Sequence, residues 1–236
     1  MKEIWVCNVR IDNVTLEEAV ERALQKRGEP CFVVTPNAVM LDECRRDRTR
    51  AELLNQATLS LPDGTGVLLA ARRRGAPLKE RVAGIEFGEV LLRRAAEDGL
   101  RVFLLGGAVG VAEKAAANLC LRYPRLQICG THHGYFEKRG AEDGRVAEIL
   151  RAARPDMVFV CFGFPMQEAW IAKHLPSLNG VRVIVGLGGS LDVWSGNVKR
   201  APAFVSRMGL EWAWRMACEP RRLRHLPALL RVGLFR

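Results

Sequence analysis

The sequence that decides the fold is Leu59-Ser60-Leu61-Pro62-Asp63-Gly64-Thr65-Gly66-Val67, in which an apolar run ends in Pro-Asp-Gly. A turn punctuated by glycines then leads directly into an apolar helical pattern over 67–71. This order is typical of a strand, a sharp turn and a helix. It places the carboxylate of Asp63 at the carboxyl end of a strand, the edge at which open α/β sheets bind ligands. Asp-Gly is also ordinary turn chemistry, so these residues alone do not separate a site from a turn.

Short apolar runs alternate with helical patterns over residues 1–197, and this alternation predicts the fold class. We expect an α/β core with a Rossmann-like parallel sheet that carries helices on both faces. The predicted strands cover 4–9, 31–35, 58–61, 101–105, 126–129, 156–162 and 181–185. The predicted helices cover 15–26, 37–48, 65–74, 86–98, 111–122, 141–153 and 169–174. A capping box formed by Thr15 and Glu18 opens the first helix.

The pattern changes near the C-terminus, where strand signals stop and basic residues accumulate. Residues 199–236 contain nine basic and two acidic residues, a balance of +7 within a chain whose net charge is +10. Trp212 belongs to an apolar helical stripe, and leucines alternate with arginines further on. We therefore divide the chain into a core, 1–197, and a basic amphipathic helical appendage, 198–236, expected to lie on an anionic membrane surface. The alternative is a helical pair packed on the core with solvated arginines.

The composition favours an anionic partner. The chain has 236 residues, of which 49% are hydrophobic and 26% charged, as in ordinary globular proteins. Its positive charge suits nucleic acid, anionic lipid or a phosphorylated substrate. The seven cysteines include no Cys-x-x-Cys pair, which argues against a zinc site and fits the reduced thiols of a cytoplasmic protein. We expect neither a signal peptide nor a membrane span, because residues 1–6 lack the apolar region of a signal peptide and no apolar run reaches the roughly 18–20 residues that span a bilayer.

Six predicted strand ends carry glycines and polar side chains, and in a parallel sheet such ends meet at one edge. These ends are 35–37, 63–66, 106–110, 131–136, 163–168 and 186–192. Gly106 and Gly107 precede a helix, which lets the backbone approach a diphosphate, although the spacing differs from the Gly-x-Gly-x-x-Gly of dinucleotide sites. Asp63 and Asp192 are the carboxylates that stand out. The residues predict a crevice for a phosphorylated, nucleotide-bearing ligand, while plain turns and helix capping by Asn37 would explain the same pattern.

The sequence offers no dedicated metal site. His132 and His133 are adjacent, and neighbours on an extended chain point to opposite sides, which disfavours a shared ion. The chain has no Asp-x-Asp and no spaced carboxylate pair. We expect neither a metal nor another bound cofactor.

Several motifs, taken in order along the chain, resemble those of one known family. They are Thr35-Pro-Asn37, Pro62-Asp-Gly64, Arg81-Val-x-Gly84, Leu104-Leu-Gly-Gly107, Gly130-Thr-His-His-Gly-Tyr-Phe136, Gly163-x-Pro-x-Gln-Glu168, Gly188-Gly-x-x-Asp192 and Gly196-x-x-Lys-Arg-Ala-Pro202. Together they resemble the WecG/TagA/CpsF glycosyltransferases over nearly the whole chain. Met166 departs from the pattern, since the family often has Lys there, and we expect that this position does not hold a diphosphate.

The resemblance implies an inverting, metal-independent hexosyltransferase. In the wall teichoic acid branch of the family, UDP-N-acetylmannosamine donates its sugar to undecaprenyl-diphosphate-linked N-acetylglucosamine, and a β1,4 linkage forms. The resemblance also implies a peripheral position on the inner face of the plasma membrane and self-association into a homo-oligomer. We expect no nucleic-acid partner.

The same resemblance suggests roles for individual residues. Asp63 would be the base that accepts the proton of the acceptor hydroxyl. Arg81 is the candidate inside the crevice for the leaving diphosphate, because arginine binds phosphate oxygens bidentately. The other expected site residues are Thr35, Asn37 and Gln167 beside the sugars, Gly106, Gly107, Tyr135 and Asp192 on the nucleotide side, and Arg215, Arg221, Arg222 and Arg224 of the appendage over the diphosphate.

Three other interpretations stay open. The same family could use another donor, such as UDP-N-acetylmannosaminuronate or a UDP-hexose. A nucleotide-dependent oxidoreductase would bind NAD(P)H, but the glycine spacing argues against it. A basic module without activity would bind nucleic acid or lipid with steep salt dependence, and it would leave the strand-end motifs without a purpose.

Overall fold

The fold is described from a computed structural model, which describes residues 4–26, 28–202, 205, 211–218, 223 and 226–234. The strands are β1 (Ile4–Val6), β2 (Val9–Ile11), β3 (Cys31–Val34), β4 (Leu59–Ser60), β5 (Arg101–Gly106), β6 (Gln127–His132), β7 (Met157–Cys161) and β8 (Val183–Gly186). The helices of the core are α1 (Leu16–Leu24), α2 (Ala38–Arg46), α3 (Arg48–Asn55), α4 (Thr65–Arg73), α5 (Gly84–Asp98), α6 (Val111–Arg122), α7 (Ala141–Ala153), α8 (Met166–His174) and α9 (Ser190–Trp194). Two further helices follow, α10 (Glu211–Cys218) and α11 (Leu226–Leu234).

Six strands form one sheet in the order β4-β3-β8-β7-β5-β6. Every pairing in it is parallel, with Val33 opposite Leu59 and Leu104 opposite Phe159 as examples of the register. The inner strands are buried on both faces, which is why their sequences are continuous apolar runs. The predicted α/β class with a Rossmann-like parallel sheet is confirmed.

Alternate residues of each strand enter two separate cores. Leu104 and Phe159 face the core covered by α1, α5, α6 and α9. Phe103 and Val160, their neighbours in sequence, face the core covered by α2, α3, α4, α7 and α8. This alternation follows from the two-residue repeat of a strand and gives the sheet helices on both faces, as predicted.

The single strand predicted over 4–9 is wrong. Residues Ile4–Val6 and Val9–Ile11 are instead two strands of an antiparallel hairpin that lies outside the parallel sheet. Cys7 and Asn8 reverse the chain with φ angles of 50° and 64°. Asn tolerates this left-handed region. Because the two-residue turn contains no glycine, the sequence shows no turn signal and the two strands look like one continuous strand.

Most helix boundaries agree with the predictions, and the exceptions have local causes. The capping box is present, since the Glu18 N–H donates to Thr15 Oγ1 (3.2 Å) and the Thr15 N–H donates to Glu18 Oε2 (2.9 Å). The helix predicted over 37–48 is confirmed as α2, but the sequence pattern did not indicate α3, which Asp47 caps by accepting the Thr49 N–H (3.0 Å). The segment predicted as a loop over 186–192 contains the start of the short helix α9.

The last helix packs against the core. Ala228 and Val232 of α11 are buried, and Val232 belongs to the same hydrophobic cluster as residues of α2 and α4. Arg231 also forms two hydrogen bonds to Asp42 of α2. This part of the basic segment is therefore an element of the folded molecule rather than an extended tail.

Candidate active site

The carboxyl ends of β4, β3, β8 and β7 surround a cavity of about 530 Å³. These four strands are neighbours in the sheet, so the turns that follow them lie side by side at one edge. The polar side chains at the cavity are those of Thr35, Asn37, Glu43, Asp63, Thr65, Arg81, Gln167 and Ser190. Five of the predicted site residues, namely Thr35, Asn37, Asp63, Arg81 and Gln167, are thus brought together.

Asp63 is held at the cavity by backbone hydrogen bonds of its own N–H and of the residues just before it. The Leu61 N–H donates to the Val34 carbonyl (2.9 Å), and the Asp63 N–H donates to the Pro36 carbonyl (3.0 Å). The turn after β4 is thereby attached to the turn after β3. Gly64 has a φ of 97°, a conformation that favours glycine and lets the chain enter α4 directly after the carboxylate. Asp63 itself is half-buried, which leaves its carboxylate accessible from the cavity.

Thr35 and Asn37 serve the structure as well as the cavity. The Thr35 hydroxyl donates to the Gly186 carbonyl (3.2 Å) and so connects the ends of β3 and β8. Asn37 Oδ1 accepts the N–H groups of Val39 (3.0 Å) and Met40 (3.2 Å), which makes Asn37 the cap of α2. Asn37 therefore caps α2, as one interpretation of the sequence predicted, and it also lines the cavity.

Arg81 lies beside Asp63 because their loops are joined. The Val82 N–H donates to the Pro62 carbonyl (3.0 Å). The Arg81 guanidinium contacts Glu86 of α5 at 3.3 Å, and the Arg81 side chain is 17% exposed. The site thus places a guanidinium and a carboxylate on adjacent loops of one cavity.

The cavity has a second carboxylate, Glu43, that the sequence did not indicate. Glu43 lies on α2 and is neutralised by an ion pair with Arg50, whose guanidinium carbon lies 5.9 Å from the centre of the Phe164 ring. Asp192, by contrast, is not among the cavity residues. A competing base in this cavity would therefore be Glu43 rather than Asp192.

Gln167 connects two turns of the cavity wall. Its Oε1 accepts the N–H of Gly163 (3.2 Å) and the N–H of Gly188 (3.0 Å), which follow β7 and β8. Its Nε2 donates to Glu168 Oε1 (2.8 Å). Glu168 is 0% exposed, and burial raises the pKa of its carboxyl to about 7. The sequence motif pointed to both residues, but only the structure shows that Glu168 is fully buried behind Gln167.

Comparison with known proteins agrees with this geometry. Residues 4–234 match the glycosyl transferase WecG/TagA/CpsF family. The chain belongs to this family. Relatives in Staphylococcus aureus strains NCTC 8325 / PS 47 and COL are each 34% identical over 231 residues, which cover 96% of this chain and 89% of the relative. Both are named N-acetylglucosaminyldiphosphoundecaprenol N-acetyl-beta-D-mannosaminyltransferase. The protein is therefore a glycosyltransferase of the WecG/TagA/CpsF family.

Four of the predicted site residues of this glycosyltransferase lie outside the cavity. Gly106 and Gly107 form the turn after β5, where the Gly107 N–H donates to the Cys161 carbonyl (3.3 Å). Tyr135 is 76% exposed on the loop after β6, and Asp192 lies in α9. The strands β5 and β6 form the far side of the sheet, so their ends continue the same edge beyond the cavity.

The appendage of the glycosyltransferase contributes Trp212 and Met216 of α10 to the cavity. Arg215 lies on the same helix, and its side chain is outside the described part of the structure. Arg221, Arg222 and Arg224 lie outside the described residues. Among the residues that are described, no helix combines the length and the apolar character needed to cross a membrane, and no three His, Cys, Asp or Glu side chains form a metal-binding group.

Proposed function

We propose that this glycosyltransferase moves N-acetylmannosamine from UDP-N-acetylmannosamine to undecaprenyl-diphosphate-linked N-acetylglucosamine and forms a β1,4 linkage with inversion. The acceptor and the transferred sugar are those in the names of the Staphylococcus aureus relatives. The observation that carries the proposal is the cavity that collects Asp63, Arg81, Thr35, Asn37 and Gln167 at neighbouring strand ends. Such an edge is where α/β proteins bind their ligands.

The proposed reaction is a single in-line displacement. Asp63 accepts the proton of the acceptor hydroxyl while the hydroxyl oxygen forms a bond to the anomeric carbon of the donor. The bond from that carbon to the UDP oxygen breaks on the opposite face, and the configuration inverts. Arg81, held by Glu86, offsets the negative charge that grows on the departing diphosphate. The proposal assigns this work to arginines, with those of the appendage as further contributors, and to no metal ion.

The experiment is a measurement of UDP release with and without the lipid-diphosphate-linked N-acetylglucosamine acceptor, with EDTA present. Wild-type protein should release UDP only with the acceptor. Asp63→Asn should lower kcat by about 100-fold or more, the usual contribution of a general base, while the affinity for UDP changes little. Glu43→Gln is the matched control, because it removes the other cavity carboxylate. Loss of turnover in Glu43→Gln with an active Asp63→Asn would transfer the role of base to Glu43.

The donor is decided by the same assay. If UDP is released from UDP-N-acetylmannosaminuronate or a UDP-hexose but not from UDP-N-acetylmannosamine, the proposed donor is wrong and the proposed reaction class stands. Turnover that disappears with EDTA and returns with a divalent cation would refute the metal-independent part of the proposal.

We also propose that residues 198–236 place the enzyme on an anionic membrane, at the inner face of the plasma membrane where the acceptor would be reached. Trp212, Leu223 and Leu226 are at least 36% exposed apolar side chains in this basic segment. Each basic residue near anionic lipid contributes roughly 1 kcal/mol. Sedimentation with phosphatidylglycerol vesicles but not with phosphatidylcholine vesicles is the expected result. Equal binding to both would contradict the electrostatic part. Self-association, expected from the family resemblance, is tested by light scattering in solution.

A further inference from the structure

Glu168 occupies an unusual place in the site. It is 0% exposed, lies two residues after the start of α8, and its Oε1 accepts a hydrogen bond from Gln167 Nε2 at 2.8 Å. Its Oε2 has no hydrogen-bond partner among the described residues. Leaving a buried carboxyl oxygen without a partner is costly, so a carboxyl group at this position needs an explanation other than stability. Glu168 is also absent from the cavity lining, which excludes contact with the substrate as that explanation.

The explanation lies in the Gln167 amide. Its oxygen already accepts two backbone N–H groups, those of Gly163 and Gly188, at 3.2 Å and 3.0 Å. These two glycines have positive φ angles of 83° and 52° and begin the turns that form one wall of the cavity. The amide is also tightly enclosed, because a Cβ atom at Gly186 would lie 2.6 Å from Gln167 Nε2. An acceptor at Glu168 completes the set of contacts that fixes the amide.

We propose that Glu168 is a positioning residue, which acts through Gln167 to hold the turns after β7 and β8 in the geometry that glycosyl transfer requires. The role needs only an acceptor oxygen facing Gln167 Nε2. Both the neutral acid and the carboxylate supply that oxygen, so positioning does not depend on the protonation state of Glu168. The kinetic part of this inference rests on the proposed function, whereas the structural part does not.

The test compares two variants of nearly the same size. Glu168→Gln keeps a carbonyl oxygen that can accept from Gln167 Nε2, and it replaces Oε2, the oxygen without a partner, by an NH2 group. Glu168→Leu keeps the volume and removes the acceptor. Hydrogen–deuterium exchange of the backbone N–H groups of Gly163 and Gly188 reports the two turns directly. We expect exchange to be about 10-fold faster or more in Glu168→Leu and within about twofold of wild type in Glu168→Gln, as the loss of one buried hydrogen bond predicts.

Kinetics then separate positioning from a general structural role. Glu168→Leu should lower kcat by about 10-fold or more with the UDP dissociation constant within about threefold of wild type, and Glu168→Gln should recover at least about half of the wild-type kcat. In a Gln167→Met background the Leu substitution should add less than about twofold, because the residue through which it acts is gone. Should Glu168→Leu fail to fold, Glu168→Ala removes the same acceptor without adding bulk.

Two results would overturn the inference. Unchanged exchange at Gly163 and Gly188 in the variant without an acceptor would show that Glu168 does not hold the turns. A Glu168→Gln variant that loses activity, or loses a limb of the pH profile of kcat, would make Glu168 a proton-transfer group instead. If wild-type protein has no activity with the proposed substrates, the proposed function fails and the exchange measurement still decides the positioning role.

Discussion

Breaking the ion pair between Arg231 and Asp42 tests how the appendage is joined to the core. Arg231 of α11 donates from Nε to Asp42 Oδ1 (3.1 Å) and from Nη2 to Asp42 Oδ2 (2.8 Å). Asp42 on α2 is 2% exposed, whereas the Arg231 side chain is 37% exposed. Arg45 and Arg46 contact the same carboxylate at 3.4 Å and 2.6 Å. The informative variants are Arg231→Gln, Asp42→Asn and the two combined.

The two single variants should have unequal effects on the free energy of unfolding. Arg231→Gln leaves Asp42 with two other arginines, and the lost partner is over a third exposed, so we expect a cost of about 1 kcal/mol. Asp42→Asn removes the buried charge that three guanidinium groups share, and we expect about 3 kcal/mol. Because the residues are in direct contact, the double variant should cost less than the sum of the two, by about 1 kcal/mol.

The pH dependence has a defined sign. Burial by itself would raise the pKa of Asp42, but hydrogen bonds and charges from Arg231, Arg46 and Arg45 outweigh it, and the pKa is lowered. The stabilisation is therefore complete above the pKa of an unfolded Asp, about 3.9, and is lost as the pH falls through the lower pKa of the folded state. The stability difference between wild type and Asp42→Asn should shrink as the pH drops below about 4.

Urea unfolding at pH 7 and at several acidic pH values measures these quantities. Turnover of the proposed reaction, measured on the same samples, reports whether loosening α11 disturbs the cavity wall that Trp212 and Met216 form. Additive single effects would refute the direct coupling of Arg231 and Asp42. A stability difference that stays constant down to pH 3 would show that the Asp42 charge is not the source of the effect.

Two further predictions concern the core. Gly106→Ala should lower the free energy of unfolding by about 3 kcal/mol, since the new Cβ would lie 2.4 Å from the Cys161 carbonyl oxygen. Gly110→Ala should cost only about 1 kcal/mol, because Gly110 also has a positive φ but no atom lies within contact distance of the new Cβ. Equal costs in calorimetry would contradict this difference. Asp143→Asn should cost about 3 kcal/mol in urea unfolding, because the buried Asp143 carboxylate accepts hydrogen bonds from Trp170 Nε1 (2.7 Å) and from the Lys173 ammonium of α8. An unchanged unfolding midpoint would refute its role in joining α7 to α8.

The fold could be predicted largely from sequence because the strands of a parallel sheet are buried on both faces and therefore appear as separate apolar runs. The errors occur where the chain changes direction without glycine or proline. Cys7 and Asn8 form the turn of a hairpin inside an apolar run, and Asp47 ends α2 and begins a second helix, α3, that the sequence pattern did not indicate. In each case a polar residue with a local capping or turn role replaced the usual helix or strand breaker.

The site could be predicted only in part because the strand order does not follow from the sequence. Asp63, Thr35 and Gln167 meet because β4, β3, β8 and β7 are neighbours. Gly106 and Tyr135 follow equally plausible strand ends, but β5 and β6 come last in the sheet. The burial of Glu168 and the place of Glu43 at the cavity are properties of tertiary packing, and no local sequence pattern carries them.

Core carboxylates neutralise part of the positive charge of the appendage. Arg200 pairs with two glutamates of α5, and Arg231 pairs with Asp42, so core carboxylates already neutralise two of the nine basic residues after position 198. At most seven remain for the proposed contacts with lipid headgroups or the diphosphate, which limits the electrostatic part of the proposed membrane binding to roughly 7 kcal/mol. Trp212 and Met216 line the cavity between these two ion pairs along the chain. The proposed membrane contact would therefore change the shape of this cavity wall only by moving a segment that is attached to the core at both ends.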